Sequence, residues 1–210
     1  MISDRPFKMV MYGWANMCRK VSFGPQRMRQ ILDLMIQEAD YDMSAKGNMD
    51  AMSTKTSDDA KRGETNNNRQ HDILEGFSCE PTVDIYNTLL QGLSQAARRS
   101  IQAAIEAEHV LSTMEKMNMT RGWHTKPNTR SYSLVLNAYA KSKHATAGDR
   151  AESVLRDMIQ RYEEEKQDYR EEYGMEYNIL VPETNLRKIV TPDTIAYSTV
   201  IHAYAQSDSV

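Results

Sequence analysis

Long strand-like runs of valine, isoleucine and threonine are missing from this 210-residue chain, and glycine and proline are scarce, at 9 and 6 residues. That scarcity argues against a sheet-built domain and leaves methionine, alanine, leucine, glutamine, glutamate and arginine, all good helix formers, to set the local structure. Cysteine is nearly absent. Cys18 and Cys79 stand far apart with no C-x-x-C spacing, so no disulfide framework is expected and a reducing compartment is the default. Aromatics make up only 8% and hydrophobic residues 40%, so the core is expected to be moderate. No apolar run reaches the roughly 18 residues of a membrane-spanning helix. Met1 to Val10 lacks both the apolar core of a secretory signal and the Arg/Ser-rich pattern of a transit peptide. Either the chain is not targeted or its true N-terminus lies upstream. Neither sign of charge dominates: the net charge is −3. This argues against a nucleic-acid binder that works by bulk charge and leaves open one whose basic residues gather on a single face. Phosphate-binding, serine-hydrolase and zinc-protease motifs are all missing, and the five histidines show no metal-ligand spacing. No catalytic centre, metal or cofactor is expected.

What the chain does contain is a repeat. Three blocks, Pro81 to Leu90, Pro127 to Leu136 and Pro192 to Ile201, each place a tyrosine five residues after a proline, with apolar residues three and four positions further on. The tyrosines are Tyr86, Tyr132 and Tyr197. The next turn is shared by two blocks, Asn137-Ala138-Tyr139-Ala140 and His202-Ala203-Tyr204-Ala205. A proline ends what precedes it and lacks an N–H, and the Thr82, Asn128 or Asp193 that follows is a helix N-cap. Tyr86, Leu89, Leu90 and Leu93 then fall on one helical face.

A second element follows the first. Ala107-Glu108-His109-Val110-Leu111-Ser112-Thr113-Met114 and Ala151-Glu152-Ser153-Val154-Leu155-Arg156-Asp157-Met158 share A-E-x-V-L-x-x-M, again one helical face. Met28 to Met35 is a degenerate copy, and its partner would be Phe7 to Met17, with Phe7 at the tyrosine position and Trp14 matching Tyr139. Each unit is therefore expected to be a helix–turn–helix hairpin, which must stack on its neighbours to bury both apolar faces. Spacing between units is unequal. A polar stretch from about Ala39 to Gly76 reads as a disordered loop. Asn118 to Lys126 lengthens one turn. A charged insertion from Arg161 to Lys188 is expected to extend a helix as a solvated spike until Pro182 stops it.

The order of these motifs, and above all Val83-Asp84-Ile85-Tyr86-Asn87-Thr88-Leu89-Leu90-Gln91-Gly92-Leu93, resembles the pentatricopeptide repeat. The tetratricopeptide opening Trp-x-x-Leu-Gly is not present. The resemblance covers repeats at 83–128 and 129–193, the first helix of another at 194–210, and a degenerate repeat at 4–82. It implies an all-α fold, a right-handed alpha-alpha superhelix or solenoid of helix-turn-helix repeats, here with long polar insertions. It also implies sequence-selective binding of single-stranded RNA, one base per repeat read by two or three side chains, in RNA processing, stability or translation in a mitochondrion or chloroplast.

By the same resemblance the base-reading positions are the residue after the tyrosine and the residue after the proline that closes the repeat. These are Asn87 with Asn128, which implies a pyrimidine, and Ser133 with Asp193, which implies guanine; Ser198 opens a third pair. Lys8 and Thr82 would be the pair of the degenerate unit. The residue two before the tyrosine flanks the base in the family, a position held here by Asp84, Arg130 and Ile195. Arg130 can stack its guanidinium on a base and Ile195 can pack beside one, while Asp84 is ill suited near phosphate. Amide and hydroxyl groups suit base edges because they both donate and accept.

Plainer roles exist for the same residues. Asn87 and Ser133 are ordinary first-turn residues, Asn128 and Asp193 are good caps, the spaced methionines are core, and the histidines are surface side chains. Arg98-Arg99, on a turn, is a weak pointer to phosphate. Two other functions remain: a protein-binding helical scaffold, and the substrate arm of a larger RNA-processing enzyme. The array ends after a first helix, so Tyr197, Val200, Ile201 and Tyr204 are expected to be partly uncovered, as in a fragment.

Overall fold

The computed structural model describes residues 5–53, 80–173 and 189–207, which form seven helices and, among those residues, no strand. In chain order they are α1 (Arg5–Met17), α2 (Gly24–Ser53), α3 (Val83–Ala96), α4 (Ile101–Arg121), α5 (Thr129–Ser142), α6 (Ala147–Tyr173) and α7 (Thr194–Ser207). The predicted first helices are α1, α3, α5 and α7; the predicted second helices are α2, α4 and α6.

Packing follows that division. The odd helices form a row in which α1 touches α3, α3 touches α5 and α5 touches α7. Each even helix packs on its own odd partner and on the next odd helix: α2 on α1 and α3, α4 on α3 and α5, α6 on α5 and α7. The core runs without a break from Met11 and Met28 at one end to Val200 and Ala203 at the other. The motif methionines Met28, Met35, Met114 and Met158 are all fully buried, as are Tyr86 and Tyr139.

Capping explains most of the helix starts. Asn128 accepts from the Ser131 backbone N–H at 3.0 Å while the Ser131 hydroxyl accepts from the Asn128 N–H, a reciprocal capping box. Asp193 caps α7 by accepting from the Ala196 N–H at 2.8 Å. Thr82 sits at the start of α3 but makes no side-chain cap bond. Gly122 ends α4 at φ 65°, a left-handed conformation open to glycine without Cβ strain.

A polar contact repeats from unit to unit. The glutamate of A-E-x-V-L-x-x-M accepts from the tyrosine two turns beyond the motif tyrosine of the next odd helix: Tyr139 donates to Glu108, and Tyr204 donates to Glu152 at 2.5 Å. In the first unit the equivalent residues are Arg29 and Leu93, so both halves of the pair are replaced together. Gly148 lies under the Tyr204 ring, where an added Cβ would stand 2.3 Å from a ring carbon.

Two insertions differ from their expected form. α2 continues to Ser53, so residues 40–53, expected as disordered loop, are helical. The segment is polar, but its Met, Ala, Lys and Asp residues include no proline and one glycine, Gly47, so propensity carries the helix on. The rest of that expected loop, 54–76, lies outside the described residues, as does Cys79. The charged insertion does extend α6, through Tyr173; Pro182 lies outside the described residues. The run is not wholly solvated. Glu165 is buried, accepts from the Val190 N–H at 2.8 Å and pairs with Lys126 at 2.9 Å, which ties the chain entering α7 to the loop before α5.

The buried phenols give the fold an alkaline limit. Burial pushes Tyr86 up to about 12. The hydrogen bond to Glu152, then burial, pushes Tyr204 up to about 12. Burial first, then the neighbouring glutamates, also raises Tyr132 and Tyr139. A folded-state pKa above the unfolded value of about 10 means the fold holds the proton more tightly. The stability these phenols contribute is intact below pH of about 10 and is lost as pH climbs toward 12. Denaturant midpoints measured between pH of about 8 and 11.5 should fall at the alkaline end, and Tyr86→Phe with Tyr139→Phe should flatten that fall.

Candidate nucleic-acid interface

Three of the four odd helices, α3, α5 and α7, carry a polar stripe. Beginning at the residue after the tyrosine and stepping by four, the stripes read Asn87, Gln91, Gln95 on α3; Ser133, Asn137, Lys141 on α5; and Ser198, His202, Gln206 on α7. Steps of four lie on one helical face. Because the three helices pack side by side in order, the stripes are neighbours. Only the first member of each was singled out from the sequence; carrying the same register onward would have found the rest.

Asn87 is buried, its amide oxygen accepting from the Ser131 hydroxyl at 2.7 Å. Asn128 is exposed at the start of α5 and shares that same Ser131 hydroxyl, 3.1 Å from its own amide oxygen. The expected pair is thus brought together, with Ser131 between its members, and Asn87 faces the α3–α5 contact rather than open solvent. Ser131 was not anticipated; its signal was the N-x-x-S spacing of a capping box. Ser133 is half-buried and donates to the Thr129 carbonyl, while Asn137 donates to the Ser133 carbonyl, both at 2.9 Å. Asp193 is half-buried at the α7 cap. The residue equivalent to Ser131 is Ala196, so no hydroxyl joins Ser133 to Asp193. Ser198 is exposed on α7. Arg130 is exposed, and Ile195 is 62% exposed. Of the other candidates, Lys8 and Asp84 form an ion pair at 2.5 Å, which turns the ill-suited carboxylate toward α1.

Asn87 gives a local test. Asn87→Ala removes the acceptor for a buried hydroxyl whose remaining partner, Asn128, is further away. The expected cost is about 1–2 kcal/mol of unfolding free energy, read from urea denaturation of the two proteins.

Charge is divided between the two sets of helices. Among residues whose side chains are described, the odd helices carry Lys8, Arg130 and Lys141 against one carboxylate, Asp84. α6 alone carries nine carboxylates against five cations. Between α4 and α6 lies a cavity of about 240 Å³, lined among others by Glu108, Glu115, Asp157 and Glu164 and by one cation, Arg161, which pairs with Glu115. Burial, then Glu108 and Glu115, raise the Asp157 carboxyl above its usual range. A net charge of −3 therefore hides an acidic even-helix side and a cationic odd-helix side, and only the latter suits a polyanion.

At the α7 end, Tyr197 and Ile201 are 47% and 70% exposed and Tyr204 is half-buried, as expected; Val200 is buried instead. Four histidines, His109, His124, His144 and His202, are exposed, and no metal-binding group occurs among the described residues. No described helix is long and apolar enough to cross a membrane. No family model, curated protein or solved structure matches this chain.

Proposed function

We propose that this chain is a helical-repeat module of the pentatricopeptide type that binds single-stranded RNA along its odd helices and has no catalytic centre of its own. On this reading the hairpins continue as a right-handed solenoid, and the odd helices line its groove. The observation that carries the proposal is the threefold recurrence of an amide- or hydroxyl-bearing stripe, in one register after the tyrosine, on helices packed in sequence order. Unstacked bases present donors and acceptors that such groups can pair, and the adjoining cations suit phosphate. Ser133 with Asp193 is the pair best placed for base reading, since neither is enclosed as Asn87 is. The resemblance assigns that pair to guanine and the preceding pair to a pyrimidine, in a mitochondrial or chloroplast transcript.

A second reading has one observation behind it. The carboxylate-lined cavity between α4 and α6 would receive a basic segment of a protein partner, in a scaffold role. Fluorescence anisotropy separates the two. The RNA reading requires binding to single-stranded RNA, weaker binding to duplex RNA of the same sequence, and loss of affinity with added salt. Equal and weak binding to both forms would leave only the scaffold.

A further inference from the structure

The turns that join each odd helix to its even partner lie side by side. Arg99 reaches from the α3–α4 turn to the α1–α2 turn and donates to the carbonyls of Cys18 and Val21. Lys141, at the end of α5, donates to the Ser94 hydroxyl at the end of α3, at 2.9 Å. Residues 18–23, 97–100 and 143–146 thus form one edge. That edge contains Arg19, Lys20, Arg98, Arg99 and Lys143 and not one carboxylate. Arg99 is spent on the two carbonyls. Arg19, Lys20, Arg98 and Lys143 are exposed and make no ion pair among the described residues.

Two features set this edge apart from an ordinary solvated surface. Lys141 is half-buried beside Arg98, with a neutral hydroxyl as its partner; burial, then the Arg98 charge, lower its proton affinity. Like charges have been drawn together with no counterion. Lys143 caps α5 at φ 51°, the left-handed region, which glycine would occupy without Cβ strain. A cation is thus kept at a position where backbone conformation favours a residue without a side chain.

We infer that this edge is the phosphate path for single-stranded RNA, with Arg19, Lys20, Arg98 and Lys143 contacting successive phosphates while bases turn onto the polar stripes beside it. The inference rests on the RNA reading above. Adjacent turns are separated by a helix-packing distance of roughly 8–10 Å, a linear series of cations suited to a linear polyanion. Lys141 joins the α5 stripe to the edge, so bases and phosphates of one strand would meet continuous groups. Cations at helix C-termini also favour the helix dipole, and the test must separate that role.

The test is anisotropy of the whole chain with a mixed-sequence single-stranded RNA of about 12 nucleotides, over a salt series. The variants are R19Q/K20Q, R98Q and K143G, with K116Q, an exposed cation of α4, as control. Each cation removed from the edge should flatten the log K against log salt slope by about 0.7 and weaken binding several-fold, equally for RNAs of different sequence. K143G should do so while its thermal midpoint holds or rises, which a dipole role would not allow. K116Q should change neither. If the wild-type chain binds RNA and the edge variants keep its slope, the phosphate path is overturned and the RNA reading survives. If weaker binding comes only with a lower thermal midpoint in every edge variant, the cations serve the helix ends and the inference fails. Competition by polyglutamate as strong as by RNA would mark a general polyanion surface and also overturn it. A wild-type chain that binds no RNA sinks both readings.

Discussion

Tyr139→Ala is expected to remove about 3–5 kcal/mol of unfolding free energy, the range for deleting a buried aromatic ring. Tyr139 is fully buried in the middle of the row, where α5 meets α4, and its hydroxyl donates to Glu108, which also pairs with Arg150. Truncation opens a cavity and leaves the glutamate with one partner fewer. Against a total stability of about 5–15 kcal/mol for a domain, a loss of this size is enough to unfold a marginal chain at 37 °C. Tyr139→Phe isolates the polar part and should cost about 1 kcal/mol. Tyr204→Ala is the internal comparison: the register is the same but the ring is half-exposed, so its cost should be clearly smaller. Urea denaturation of the four proteins checks the series. Equal costs for Tyr139→Ala and Tyr204→Ala would mean that the two positions are not distinguished by packing as described.

The second large effect is on binding. On the proposed RNA reading, Ser133→Glu combined with Ser198→Glu places two carboxylates at the heads of adjacent polar stripes. Both sites are at least partly solvent-exposed, so stability should change by no more than about 0.5 kcal/mol per site. Repulsion of phosphate should lower RNA affinity on the order of 10-fold or more, and more steeply at low salt. Ser133→Asn should instead keep affinity and shift base preference. Unchanged affinity in the double glutamate variant would move RNA, if bound, off the odd helices.

The helical register was plain in the sequence because burial enforces it. Tyr86, Leu89, Leu90 and Leu93 must share a face, and they do; so must Ala151, Val154, Leu155 and Met158. The caps at Asn128 and Asp193 were equally legible, since a cap needs only local geometry. The extent of α2 was not, because between Ala39 and Ser53 low hydrophobicity pointed to a loop while propensity favoured helix. The enclosure of Asn87 was hidden for a different reason. It depends on which residue of α5 lies across from it, and Ser131 in one unit but Ala196 in the next fills that place. The basic edge was hidden for the same reason. Arg98-Arg99 is an unremarkable pair until Arg99 is seen to bridge two turns and Arg98 to stand beside Lys141.

The most direct measurement is selection of RNA from a random single-stranded pool on the immobilised whole chain, followed by sequencing. Retained molecules enriched for a pyrimidine immediately 5′ of a guanine, with the guanine preference altered by Ser133→Asn, are the predicted result. A chain that retains no RNA above the level of a non-binding control contradicts it, as does retained RNA whose composition is that of the starting pool.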